Sequence, residues 1–201
     1  MRFSSLRGQL HSSYKKWVIL TGLLLASNIC LLILWFTGRI QAEDHYLLEL
    51  SQYSFLVIIC SLSIRRAWRL AKISLNLKFL LYAGLALLSY SFLLRELDID
   101  KFGASPAWAI FEQALRLTGV ILWFILLMYV IPRRMQLWAK RAIIFTMPMV
   151  IMLILSGFFL LASWPFDKKV FSAIPYFTSQ FIEEMLELNG YIVLFFVSLE
   201  D

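Results

Sequence analysis

Six stretches of apolar residues, each about as long as a lipid bilayer is thick, limit what this chain can fold into. The first stretch, 17–37, holds 21 residues without a charged side chain, and about 20 apolar residues suffice for a transmembrane helix. The apolar core of a secretory signal peptide is shorter, about 7–15 residues, so we interpret 17–37 as a retained anchor. Pro148, inside the fifth stretch, predicts a kink. The predicted spans are 17–37, 46–64, 75–94, 106–131, 142–163 and 175–199.

The composition is typical of a protein that folds in lipid. Hydrophobic residues make up 61% and charged residues 16% of the sequence, whereas a soluble domain has about 45–50% and about 25%. Too little polar surface remains to cover a water-soluble globule, which excludes a soluble enzyme, a secreted disulfide scaffold and a disordered tail. The longest polar connection is about a dozen residues, too short for a soluble lobe. We therefore predict an all-α, polytopic integral membrane bundle of about six transmembrane helices, with a single domain over 1–201.

The distribution of basic residues predicts the orientation of the chain. Most of its 19 Lys and Arg residues lie in the amino-terminal segment, in the loop 65–78 and in the loop 133–141. Short loops rich in Lys and Arg stay in the cytoplasm. The amino terminus is therefore predicted to be cytoplasmic, and six spans would return the carboxyl terminus to the same side. The size, aromatic content and arginine placement resemble those of small bacterial inner-membrane proteins, so we expect the cell inner membrane.

Sequence motifs for the common catalytic and cofactor sites are missing. The two histidines, His11 and His45, are too few for a His-rich zinc or haem site. The glycines form no phosphate-binding loop, and no nucleophile elbow occurs. We predict no cofactor and no catalytic residue, leave a metal open, and favour a non-enzymatic protein over an enzyme. The net charge of +6 lies beside the membrane, so we expect contact with anionic lipid headgroups and no nucleic-acid partner.

Five glutamates inside the predicted spans require an explanation. An acidic residue near the bilayer centre costs about 2.5–3.5 kcal/mol on insertion scales, and Glu187 lies about 18 Å from the outer end of its span. All acidic residues except Glu200 and Asp201 fall on the predicted outer side or in the outer half of a span. Arg116 is the one base well inside a span, so carboxyls outnumber guanidiniums. The five are Glu49, Glu112, Glu183, Glu184 and Glu187.

The spacing of these residues predicts that they face inward together. Glu112 and Arg116 are four residues apart in the order that favours an ion pair. Glu187 shares a helix face with Glu183 and with Glu184. Polar faces of membrane helices turn away from lipid. We predict an outward-facing acidic pocket, with proton or ion ligands drawn from Glu49, Glu112, Arg116, Glu183, Glu184 and Glu187. Further polar candidates near the outer loops are His45, Arg95, Glu96 and Asp98.

Three functions are compatible with such a pocket. In the first, the protein is a non-enzymatic sensor, scaffold or accessory subunit, in which Arg116 ties the last helix to the fourth. In the second, it is a proton or cation transporter or channel that uses Glu112, Glu183 and Glu187. In the third, it is an intramembrane enzyme that uses a glutamate as general acid or base on a lipid-linked substrate.

The last predicted span allows a second interpretation. After Glu187 only residues 188–199 are apolar, about 18 Å of helix, too short to cross alone. In that alternative, 170–187 lies as an amphipathic helix on the outer surface and its carboxylates are hydrated. Besides membrane lipids, the expected partners are further copies of the chain or a partner membrane subunit.

Overall fold

The computed structural model describes residues 2–38, 46–72, 78–97, 106–168 and 170–200. Within these ranges the chain forms helices and no strand. A short 3-10 turn over Ile131–Arg133 follows α4. The helices are α1 Arg2–Phe36, α2 Tyr46–Lys72, α3 Lys78–Glu96, α4 Pro106–Val130, α5 Arg134–Ala139, α6 Arg141–Ile144, α7 Met147–Asp167 and α8 Tyr176–Leu199.

Within the part of the chain that the structure describes, five helical segments are long and apolar enough to cross a membrane, in agreement with the predicted all-α membrane bundle. They are Lys15–Phe36, Leu48–Lys72, Lys78–Glu96, Pro106–Ala139 and Met147–Asp167. The sixth predicted span is a helix of 24 residues, α8, but it is not among the five. Its three glutamates, Glu183, Glu184 and Glu187, lie in the middle of the helix, so that any stretch long enough to span contains all three. The crossing of α8 therefore stays a prediction.

Two helix ends differ from the sequence-based expectation. Basic residues assigned to the loop 65–78 continue α2 as far as Lys72, because arginine and lysine are good helix formers. The kink predicted at Pro148 is wrong. Phe145 is extended, with φ −108° and ψ 105°, and α7 begins at Met147. Pro148 therefore occupies the first turn, where its missing N–H costs no helical hydrogen bond.

The chain divides into two compact units. The first consists of Met1–Ser51 and Pro148–Val197, and the second of Gln52–Met147 and Ser198–Asp201. The first unit thus contains α1, the start of α2, α7 and most of α8. The second contains the rest of α2, then α3 to α6 and the last residues of α8.

In the first unit, α8 packs closely against α1 and α7. The rings of Trp35 and Phe181 stack with centroids 4.3 Å apart. A Cβ built on Gly190 would lie 2.9 Å from Cγ of Leu160, so the absence of a side chain there lets α8 approach α7. Small residues at such crossings are typical of helices packed within membranes.

In the second unit, hydrogen bonds from aromatic side chains join α2, α3 and α4. The Tyr53 hydroxyl donates to the carbonyl oxygen of Glu96 at 3.0 Å, and the Tyr90 hydroxyl donates to that of Leu115 at 2.9 Å. The indole of Trp123 donates to the Ser91 hydroxyl at 3.0 Å. Much of the apolar surface of α4 is exposed, including Val120, which is 65% exposed. Exposed apolar side chains on a helix that crosses a membrane are suited to contact lipid.

Candidate functional site: a carboxyl cluster on the last helix

A polar stripe runs along α8 in the first unit. Gln180, Glu184, Glu187 and Tyr191 follow one another at intervals of four, three and four residues, which places them on one face. Glu184 is 8% exposed, Glu187 is 5% exposed and Tyr191 is fully buried. Two carboxyl groups of this helix are therefore inside the protein rather than at its surface.

These two carboxyls belong to a larger group, which we call the carboxyl cluster and define as Glu49, Glu183, Glu184 and Glu187. The carboxyls of Glu49, Glu183 and Glu187 are each near enough to Glu184 for their charges to act on it. Glu49 comes from α2 and the other three from α8. The cluster brings together four of the six residues predicted as proton or ion ligands.

Neutral polar side chains contact the buried members of the carboxyl cluster. The amide of Gln180 donates to Oε1 of Glu184 at 3.3 Å. The Ser163 hydroxyl of α7 lies 3.3 Å from Oε1 of Glu187 and 2.8 Å from the carbonyl oxygen of Leu160. A serine hydroxyl has one proton to donate, so Ser163 donates to one of these acceptors at a time. Among the described residues, no group of three His, Cys, Asp or Glu is placed to hold a metal ion.

Two further hydrogen-bonded contacts fix the position of α8. The side-chain amides of Asn28 and Asn189 bond to each other in both directions, at 2.9 Å and 3.0 Å. The Ser156 hydroxyl of α7 donates to the carbonyl oxygen of Gly190 at 2.9 Å. Sequence reasoning missed Asn28, Ser156, Ser163 and Asn189. The isolated polar residues within apolar runs were the available signal.

Glu112 and Arg116 form the ion pair expected from their spacing, in the second unit. Nε of Arg116 donates to Oε1 of Glu112 at 2.7 Å, and its Nη2 lies 2.6 Å from the same oxygen. Nη2 also donates to the carbonyl oxygen of Leu94 at 3.1 Å, near the end of α3. Among the described residues, Arg116 thus has partners on α3 and α4, and its predicted tie to the last helix stays a prediction.

The candidates near the outer loops are described in part. Arg95 and Glu96 form an ion pair between neighbours, with Nε of Arg95 donating to Oε1 of Glu96 at 3.0 Å. The Arg95 side chain is half exposed, and such pairs contribute little to stability. His45 and Asp98 lie outside the described residues.

A partly buried contact of Arg66 in the second unit was not predicted from the sequence. Arg66 donates from Nη2 to the carbonyl oxygen of Leu199 at 3.1 Å and from Nη1 to the Tyr82 hydroxyl at 3.1 Å. The guanidinium and the Tyr82 hydroxyl both donate to the carbonyl oxygen of Glu200. A cation and a hydroxyl thus satisfy the last carbonyl groups of α8, which have no acceptor role inside the helix.

Comparison with models of protein families, with curated proteins and with solved structures found no match to this chain.

Proposed function

We propose that the protein is a non-enzymatic, multi-pass component of the cell inner membrane that acts as a sensor or accessory subunit. Its working site is the carboxyl cluster, opening toward the outer side, with both termini in the cytoplasm. The observation that carries the proposal is the contact of the buried Glu187 carboxyl with a hydroxyl that has another acceptor within reach. Further copies of the chain or a partner membrane subunit would receive the signal.

The contact between Glu187 and Ser163 gives the cluster two alternative hydrogen-bonding states. When Glu187 is ionised, its carboxylate only accepts, and the Ser163 hydroxyl donates to it. When Glu187 is protonated, its O–H donates to the Ser163 oxygen, which frees the hydroxyl proton for the carbonyl of Leu160. Loss or gain of one proton, or of a small cation held by the carboxylates, therefore changes a contact between α7 and α8.

The energetic cost of the carboxyl cluster favours a function over a purely structural role. Several acidic groups brought close together in a poorly hydrated region repel one another when ionised. Apolar residues of similar volume commonly replace buried charged groups at no cost to stability. A cluster that costs stability is retained where it serves binding or switching.

The proposal is tested by the pH dependence of thermal unfolding in detergent, for the wild type and three variants. Glu187→Gln supplies a neutral side chain of the same shape, and Ser163→Ala removes the hydroxyl. We expect the melting temperature of the wild type to change with pH and both variants to reduce that change. Glu187→Gln removes one titrating carboxyl of the cluster, and Ser163→Ala removes the hydroxyl that distinguishes the two protonation states of Glu187. Glu112→Gln is the matched control and should show the same change with pH as the wild type, because Glu112 is paired with Arg116 and is not part of the carboxyl cluster.

Equal pH profiles for the wild type, Glu187→Gln and Ser163→Ala would contradict the proposal. Loss of the change in Glu112→Gln alone would also contradict it, because the titrating group would then lie at the Glu112–Arg116 pair.

A second candidate function, passage of a proton or small cation, is favoured by the length of the polar stripe. Gln180 to Tyr191 covers about 16 Å along α8, roughly half of the hydrocarbon core. If the stripe conducts, proteoliposomes with wild-type protein should dissipate an imposed pH or cation gradient, and Glu187→Gln should abolish the flux while remaining folded. Wild-type proteoliposomes that hold every gradient would exclude this candidate and leave the sensor.

A further inference from the structure

An apolar groove lies in the second unit, between α2, α3 and α4. Its volume is about 660 Å³, within the range of sites that hold small ligands. Alanines form much of its lining on α2 and α3, namely Ala67, Ala71, Ala83 and Ala86. Larger side chains from α4, among them Leu122 and Ile125, form the opposite wall.

Three of the polar side chains that line the groove, those of Cys60, Tyr90 and Thr118, use their protons within the protein. The Tyr90 hydroxyl donates to the carbonyl oxygen of Leu115, and the Thr118 hydroxyl donates to that of Ala114 at 2.8 Å. The Cys60 thiol lies 3.6 Å from the carbonyl oxygen of Ala86. The groove therefore presents an apolar surface that suits a hydrocarbon chain.

The length of the groove matches one leaflet of a bilayer. Its lining on α2 runs from Cys60 to Ala71, which is about 16 Å of helix. Half of a hydrocarbon core of about 30 Å is about 15 Å. An acyl chain from one leaflet would thus extend along the whole groove.

At one end of the groove, two basic side chains lie over aromatic rings. Trp68 and Tyr129 line the groove near the carboxyl-terminal ends of α2 and α4, and the Tyr129 ring contacts that of Phe79 at the start of α3. The Lys72 ammonium lies 5.3 Å from the ring centre of Trp68, and the Arg133 guanidinium lies 3.7 Å from that of Tyr129. We call Lys72 and Arg133 the basic rim. Cations beside amphipathic aromatic rings at the end of a membrane helix are placed to meet lipid headgroups.

From these features we infer that the groove binds one anionic phospholipid, with an acyl chain against the alanines and the headgroup phosphate at the basic rim. Charge complementarity at the rim decides between this occupant and a helix of a partner or of a second copy. An apolar helix would fill the groove without using the two cations, whereas a negatively charged headgroup is attracted by both.

The inference is tested by native mass spectrometry of the detergent-purified protein, titrated with dioleoyl phosphatidylglycerol or dioleoyl phosphatidylcholine. We expect one phosphatidylglycerol to bind more tightly than phosphatidylcholine. The double variant Lys72→Gln/Arg133→Gln should weaken phosphatidylglycerol binding by up to about thirtyfold, since each cation contributes about fivefold near an anionic lipid. Lys140→Gln, a basic residue outside the rim and the groove lining, is the matched control and should bind as the wild type does.

A second pair of variants tests the groove itself. Ala83→Phe fills it and should lower the binding of both lipids, whereas Val120→Phe, on a part of α4 that does not line the groove, should not. If Ala83→Phe does not fold, Ala71→Phe at the exposed end of the groove serves the same purpose. Inorganic phosphate, which has no acyl chain, should not displace the bound phosphatidylglycerol.

Three outcomes would overturn the inference. The first is equal binding of the two lipids, and the second is binding that Ala83→Phe and Ala71→Phe leave unchanged. The third is a stable dimer that Ala83→Phe or Ala71→Phe disrupts, because a second copy would then cover the groove.

Discussion

At the scale of single residues, polar side chains determine which helices of the first unit contact one another. Leucines and isoleucines can pack against lipid as well as against a neighbouring helix, so apolar contact alone gives little specificity in a membrane. The Asn28–Asn189 pair is specific because each amide satisfies both a donor and an acceptor of the other. Asn189 is 5% exposed, so little water would replace a lost partner.

We therefore predict that Asn189→Leu lowers the free energy of unfolding by about 0.6–1.7 kcal/mol, the usual range for a hydrogen bond between membrane helices. The double variant Asn28→Leu/Asn189→Leu should lose less than the sum of the single losses, because no amide is left without its partner. Thermal unfolding in detergent measures both. Thr118→Val is the control, since the Thr118 hydroxyl bonds within its own helix. Strictly additive losses would show that the two amides are not coupled.

At the scale of helices, one glycine in α7 and one in α8 allow the effect of helix packing on stability to be distinguished from that of helix propensity. A Cβ at Gly190 would lie 2.9 Å from the Leu160 side chain and 3.4 Å from the carbonyl oxygen of Ser156. A Cβ at Gly157 would meet nothing within 4 Å. The same substitution at the two positions therefore has opposite expected effects.

Gly190→Ala should destabilise the protein by about 1–3 kcal/mol, the usual cost of overpacking. Gly157→Ala should leave stability unchanged or raise it by up to about 1 kcal/mol, because alanine is the better helix former. Adding Leu160→Ala to Gly190→Ala should recover part of the loss, since it removes the side chain that clashes. Unfolding in detergent compares the variants, and similar stabilities for the two alanine variants would refute the close approach of α7 and α8.

Much of this helix-level organisation could be predicted from the sequence, but the choice of partners could not. Apolar runs indicate where helices form, because in lipid each spanning segment must satisfy its own backbone hydrogen bonds. The three- and four-residue spacings also indicate that Glu184 and Glu187 share a face. In contrast, the contact of Glu187 with Ser163 depends on the rotation of α7 against α8, which local sequence does not encode. Arg66, assigned to a loop, lies in α2 and meets carbonyls 133 and 134 residues away.

At the scale of the whole molecule, the number of membrane crossings depends on α8. Of the described helices, five segments are long and apolar enough to span, whereas α8 carries the buried Glu184 and Glu187. Burial of Glu184 and Glu187 inside the protein removes them from contact with lipid, which lowers the cost of a crossing. We therefore expect six crossings, with the two termini on the same side.

This expectation is tested by labelling a single cysteine at position 201, introduced by Asp201→Cys in a chain that carries Cys30→Ala and Cys60→Ala. A membrane-impermeant maleimide should label this cysteine only after the membrane has been opened. The same cysteine-free chain with Lys101→Cys, in a predicted outer loop, is the control and should be labelled in intact cells. Labelling of position 201 from outside would mean that the chain crosses five times.

The contact of Arg66 with the end of α8 has a consequence for how the protein is made. Arg66 and the Glu200 carbonyl that it binds are separated by 134 residues, so the ribosome adds the acceptor on the order of ten seconds after the donor. During that interval the guanidinium has to stay hydrated or bound to lipid phosphate, which holds its end of α2 at the membrane surface. Once α8 has been made, the carbonyl groups of Leu199 and Glu200 can replace these temporary partners of Arg66. The final position of this end of α2 therefore depends on contacts that form late in synthesis.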